Sequence, residues 1–160
     1  MKDLSKINNS FFSKAYFESL FFVQNKWHQH GVFVHTCRVV YYTLKAAQFK
    51  MLPTAIFHDI GKPSTAFVKD EEDREFHEYS FTDHEERSYQ IIKNWIFLSS
   101  YTKEMVRYHY LIRDIKKSST ENPKRYEKKK KIWDSLNSNM HDDLALFLKF
   151  DDMGKGKKRR

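Results

Sequence analysis

Apolar side chains between Asn9 and Gln24 fall at Phe12, Ala15, Tyr16, Leu20 and Val23, a spacing that predicts an amphipathic helix with Asn9 or Ser10 as its cap. A polar stretch, 25–31, closes at Gly31. Helical spacing resumes over 32–50, with Val39, Val40, Leu44 and Ala47 expected on the inner face. Pro53 opens a brief, strongly apolar helix over 53–60, which Gly61 and then Pro63 bring to a stop. Residues 64–83 read as a polar loop, acidic through Asp70, Glu71, Glu72 and Asp73. A loop of that length in a compact domain is often functional. Asp83 is placed to cap a helix running to Leu98, with Glu85 and Glu86 in the first turn, where the helix dipole favours them. Further helices are expected over 102–112, 124–137 and 141–152, the last turning Leu144, Phe147 and Leu148 inward. Residues 116–124 form a polar connection ending in Asn122–Pro123.

This pattern contains no β-α-β alternation and no glycine-rich phosphate loop. Only 4 glycines and 3 prolines punctuate the 160 residues, which favours helices joined by short loops. The expectation is an all-α bundle of six or seven helices. It forms a single domain over 1–152, followed by a basic, disordered tail over 153–160. A composition of 40% hydrophobic and 31% charged residues is that of a globular chain rather than a disordered one. The single cysteine, Cys37, excludes an intrachain disulfide, lies in an apolar run, and is expected to be a small buried hydrophobe. No apolar stretch approaches the roughly 18 residues that span a bilayer, and Met1–Ser10 lacks the layout of a signal peptide. These features point to the cytoplasm and to no membrane partner.

Eight histidines are spread along the chain, and singly each reads as a surface or core residue. The pair His58–Asp59, in AIFHDIGKP, is different. Asp59 sits among apolar residues at the end of a helix, where its charge adds to the negative end of the dipole. A divalent cation would remove that penalty. Neutral imidazole and carboxylate are ordinary ligands for such ions.

The chain resembles the HD superfamily of metal-dependent phosphohydrolases, whose pattern is a histidine, then a His-Asp pair one helix later, then a distal aspartate. Here these are His35 in GVFVHTCRVV, 23 residues before His58; His58 and Asp59 in FHDIGKP; and Asp152 in LFLKFDDMGK, with Asp151 as its alternative. His84 in FTDHEERS and His109 in VRYHYLIRD match two further histidines of the branch that holds two metals. The local strings are most similar to the HD domain attached to some bacterial CCA-adding tRNA nucleotidyltransferases. This chain contains no nucleotidyltransferase domain, so only the phosphohydrolase half carries over.

The resemblance implies an enzyme with two divalent metal ions (Mn, Fe, Ni, Co, Mg or Zn) held by His35, His58, Asp59, His84, His109 and Asp152. Asp59 would bridge the ions and orient a metal-activated water for in-line attack on phosphorus. Lys62, in HDIGK, matches a lysine that in the family commonly touches substrate phosphate. Arg113, one turn past His109, is a candidate for phosphate or for an acidic neighbour, and His77 is a candidate in the long loop. The substrate class is a nucleotide phosphoester or a phosphodiester such as a 2′,3′-cyclic phosphate. A signalling cyclic-nucleotide phosphodiesterase is the alternative, though the Gly-Tyr-Pro motif of the cyclic-diguanylate branch is absent.

The formal net charge of +8 is concentrated in Lys124, Arg125 and Lys128 to Lys131, and in the tail. That run is either a solvated helix face or a weak, salt-sensitive RNA contact over 124–131. A separate alternative for the whole chain is a non-catalytic RNA-binding module that keeps the metal site structurally and binds through this basic helix.

Overall fold

The computed structural model describes residues 18, 19, 22, 24, 28–68 and 79–156. Most of the expected 9–24 helix, the acidic run Asp70–Asp73, His77 and residues 157–160 lie outside the described residues.

The architecture is all-α, as the pattern predicts. Helix α1 spans Val32–Lys45. A 3-10 turn over Phe49–Met51 leads into α2, Leu52–Phe57, and α3 follows over Lys62–Thr65. Strands β1, Ala66–Phe67, and β2, Ser80–Phe81, pair antiparallel, with Ala66 opposite Phe81 and Phe67 opposite Ser80. Then come α4, His84–Ile92; α5, Ser100–Tyr108; α6, Leu111–Glu121; α7, Pro123–Ser135; and α8, Ser138–Lys155. Helix α8 packs along α1, α7 along α6, α5 along α4, and α2 against α1.

Two apolar clusters hold these layers. Phe57, Ile60, Ile91, Ile92, Trp95, Leu98 and Val106 form one. Val39, Met51, Ala55, Met105, Met140, Leu144, Phe147 and Phe150 form the other. Helix α2 feeds both, Phe57 into the first and Ala55 into the second, so the turn that follows it is anchored on two sides. Each fully buried Leu, Ile or Phe contributes about 1.5–3 kcal/mol of transfer free energy, enough to keep that short helix in place.

Several expected boundaries move. The 53–60 helix ends at Phe57. The chain then turns through His58–Gly61 and restarts as α3 with Pro63 in the first turn, so this proline starts a helix rather than stopping one. The expected 102–112 helix is two helices, broken at His109–Tyr110, and the expected 116–124 connection is the second half of α6. Polar residues concealed that helix, because two of its buried positions are Asp114 and Ser118. Asn122 ends it in an extended conformation imposed by Pro123, and its side chain accepts from Arg125 N at 3.0 Å to cap α7.

Asp83 is left-handed, with φ of 55°, and makes no side-chain cap. Its carboxylate instead accepts from Arg125 Nη2 at 3.3 Å. Leu44 and Ala47 are exposed while Thr43 is buried, because α1 ends at Lys45 and Ala47 turns back at φ of 53°. Cys37 is exposed as well, on the outer face of α1. Residues 153–155, expected in the tail, belong to α8, which continues through Lys155.

Candidate metal centre

Four histidines and two aspartates converge where α1, the turn after α2, the start of α4, the α5–α6 break and the end of α8 meet. Three of the imidazoles are oriented in the same way. His58 Nδ1 lies 3.0 Å from Ala55 O, His84 Nδ1 3.1 Å from Phe81 O, and His109 Nδ1 2.7 Å from Val106 O. A carbonyl only accepts, so in each ring Nδ1 carries the proton and Nε2 presents a lone pair. A backbone carbonyl behind the ring is the usual support of a metal-binding histidine.

All the Nε2 atoms face Asp59. Its Oδ2 lies 3.4 Å from His35 Nε2 and 3.2 Å from His58 Nε2, while its Oδ1 lies 3.5 Å from His84 Nε2 and 3.9 Å from His109 Nε2. Two groups that could hold a metal ion result, His35–His58–Asp59 and Asp59–His84–His109, and they share the carboxylate.

The turn carrying His58 and Asp59 is fixed from α4. Ser88 Oγ donates to His58 O at 2.7 Å and accepts from Gly61 N at 2.9 Å. A Cβ on Gly61 would meet His84 O and Ser88 N, each at 2.6 Å, so only glycine permits this approach. On the opposite side Gly154 lets α8 touch His35. A Cβ there would lie 2.5 Å from Val39 Cγ2 and 3.0 Å from the His35 ring.

The two distal aspartates behave differently. Asp151 is buried and turns inward, with Oδ1 3.0 Å from His35 Nε2 and 3.7 Å from His58 Nε2. Asp152 is half exposed and turns outward, toward Arg113 Nη2 at 2.5 Å and Lys155 Nζ at 3.2 Å. Of the two, the structure brings Asp151, the alternative, to the cluster and leaves Asp152, the preferred residue, outside it. Successive helical residues are about 100° apart, and the face that carries Leu144, Phe147 and Phe150 into the core brings Asp151 in with it.

Arg113 Nη2 spans both carboxylates, reaching Asp151 Oδ2 at 2.9 Å, so its acidic pairing is the one observed. Lys62 is buried, with Nζ 2.7 Å from Asp59 Oδ2.

The electrostatics keep this site acid-resistant. Burial pushes the His109 imidazolium pKa down to about 3 and lowers those of His35 and His84. Burial acts the same way on His58, but the charge and contact of Asp59 outweigh it and hold that pKa above the usual value. Asp59 and Asp151 stay well below the carboxylate range. Burial opposes this, yet His58 and Lys62 act on the first and His35 and Lys155 on the second.

The donor set fits divalent metal: imidazole Nε2 atoms around ionised carboxylate oxygens. Among the described residues, the buried atom His109 Nε2 has no hydrogen-bond partner, a state that costs free energy unless an ion supplies one.

A cavity of about 870 Å³ opens over the cluster. Asp59, Lys62, His84, His109 and Asp151 form its floor, and it extends to Lys117 and Arg125 on one side and Lys155 on the other. Sequence reasoning left out three neighbours. His28 is one of the histidines that singly read as surface or core residues. It is buried, stands edge-on to His35 with ring centroids 5.2 Å apart, and lines the cavity. Burial drives its pKa to about 2. Gln24 is buried against Lys62, for which the sequence carries no signal. Ser88 is four residues past His84 on one helix face, which is a usable signal.

The HD-domain family model matches residues 32–139, and the chain belongs to the HD-domain family. Its members are in general metal-dependent hydrolases, and the His/Asp cluster described above could hold the ions. The matched span contains His35, His58, Asp59, His84 and His109 but ends before Asp151. The match is to the family as a whole and does not single out the nucleotidyltransferase-linked branch. Neither a curated protein nor a solved structure matches the chain significantly. Among the described residues no helix is long and apolar enough to cross a membrane.

Proposed function

We propose that this chain is a divalent-metal-dependent phosphohydrolase acting on a nucleotide phosphoester or phosphodiester, a 2′,3′-cyclic phosphate being one such substrate. The observation that carries this reading is the position of Asp59, whose two oxygens each face a separate pair of imidazole Nε2 atoms. His35, His58, Asp59 and Asp151 would hold one ion, and Asp59, His84 and His109 a second. Bound there, two divalent ions supply an activated water and neutralise charge on the phosphate. Histidine-rich donation suits Mn, Fe, Co, Ni or Zn better than Mg. By donating Nδ1–H to carbonyls, His58, His84 and His109 turn Nε2 toward the site, where its lone pair would bind an ion. Lys62 and Arg113 line the same cavity and supply positive charge beside a phosphate. A signalling cyclic nucleotide is the alternative substrate within this chemistry.

The test is metal content by plasma mass spectrometry together with turnover of an aryl phosphodiester, for wild type and Asp59→Ala. About two ions per wild-type chain are expected. The variant should lose both the metal and more than about a hundredfold in activity, since even residues behind the ligands are worth 10–100-fold. A metal-free wild type that matches the variant in turnover would sink the reading.

Weak RNA binding through residues 124–131 is a second reading, favoured by Lys124, Lys128 and Lys131, which are exposed and four and three residues apart on α7. Arg125 and Lys129 are committed inward to Asp114. Replacing the three exposed lysines with alanine should lower the slope of log affinity for single-stranded RNA against log salt by about 2. An unchanged slope counts against this reading.

A further inference from the structure

Lys62 is only 4% exposed, although lysine is rarely buried without partners. Its ammonium has three: Asp59 Oδ2 at 2.7 Å, Gln24 Oε1, and the face of Phe81 with the ring centroid 5.4 Å away. Gln24, 2% exposed, is fixed from its other end, where Nε2 donates to His30 O at 3.2 Å. Its Oε1 therefore has one orientation, toward Lys62.

The oxygen that Lys62 holds is also the oxygen facing His35 and His58. An ammonium and a divalent ion at that place contend for the same lone pairs and repel each other. Gln24 offers the ammonium a neutral acceptor that the metal does not need.

We propose that Lys62 is a displaceable counter-ion of Asp59, and that Gln24 is the positioning residue that accepts its ammonium when a metal ion takes the carboxylate. The pair then sets how tightly the His35–His58–Asp59 group binds its ion. This rests on the metal-centre reading but not on the identity of the substrate. Removing the charge removes a competitor, so metal affinity rises. Removing Gln24 leaves the ammonium more dependent on Asp59, so metal affinity falls.

The experiment titrates metal-stripped full-length protein with Mn²⁺ and follows free Mn²⁺ by its paramagnetic resonance signal, without substrate. Lys62→Met should tighten the first binding event by about tenfold or more, the scale on which a unit charge a few ångströms away acts. Gln24→Ala should weaken it several-fold. In the double variant the effect of Gln24→Ala should vanish, which is the signature of one residue acting through the other.

Should Lys62→Met fail to give the wild-type circular dichroism spectrum, Lys62→Gln takes its place. Weaker or unchanged binding on loss of the charge overturns the proposal. So does a Gln24→Ala effect that persists in the double variant. A wild type that binds Mn²⁺ but hydrolyses no phosphoester refutes the proposed activity and leaves this inference standing. A wild type that binds no Mn²⁺ overturns both.

Discussion

Asp151 and Asp152 are chemically identical and adjacent, yet the backbone gives them opposite surroundings. Asp151 points at two imidazole nitrogens, and Asp152 at solvent and two cations. Asp151→Asn should weaken metal binding by about 10-fold or more, while Asp152→Asn should change it less than about twofold, measured by calorimetric titration of stripped protein. Equal effects would return the assignment to Asp152. The sequence shows that an aspartate stands here, but only the rotation of α8 over α1 tells which one faces inward. Conversely, His35, His58, His84 and His109 were legible one by one through the strings that surround them. Gln24 and His28 were not, because no motif in the strings around them marks either residue.

At the level of elements, the His58–Gly61 turn lies against α4 at its closest where Gly61 meets His84 and Ser88. Gly61→Ala sets a methyl 2.6 Å from two backbone atoms that cannot give way as a flexible side-chain end would. The expected cost is about 1–3 kcal/mol. That corresponds to a fall of roughly 3–10 °C in melting temperature for a chain of this size. A thermal melt within about 1 °C of wild type would show that the turn is looser than described.

Legibility at this scale followed the chemistry of the buried face. Leu144 and Phe147 announce α8, and Val39 announces α1. The second half of α6 escaped notice because Asp114 and Ser118 occupy its inner positions. Asp114 is buried there by two cations of α7, Arg125 Nε at 2.7 Å and Lys129 Nζ at 2.8 Å. A hydrophobic pattern carries no trace of a helix held by ion pairs. The same contacts explain why the basic run overstates the free positive surface.

For the whole molecule, the buried histidines make stability depend on pH. In the unfolded chain they gain a proton as pH falls through about 6.5. In the folded chain His28 and His109 resist protonation down to about 2 and about 3, and His35 and His84 are lowered as well. Between those values the unfolded state binds more protons, so unfolding free energy rises with pH. This contribution is complete above about pH 6.5 and is lost as pH falls from there toward 3. His58, with a raised pKa, acts in the opposite sense but stands alone against four. Urea denaturation of the stripped protein should show a lower midpoint at pH 4.5 than at pH 7.5. Equal midpoints would mean that these rings are not buried neutral.

The inward aspartate arrives on the last described helix, beyond the span the family model matches, with only Leu136 and Asn137 between that helix and α7. Divided at that joint, the bundle becomes a receptor and a ligand. The first piece carries the four imidazoles and Asp59. The second is a helical peptide that brings four apolar anchors, Met140, Leu144, Phe147 and Phe150, and one inward carboxylate. An ion that Asp59 and Asp151 hold in common would then act as molecular glue between the halves, and its free concentration would decide whether two fragments exist or one protein.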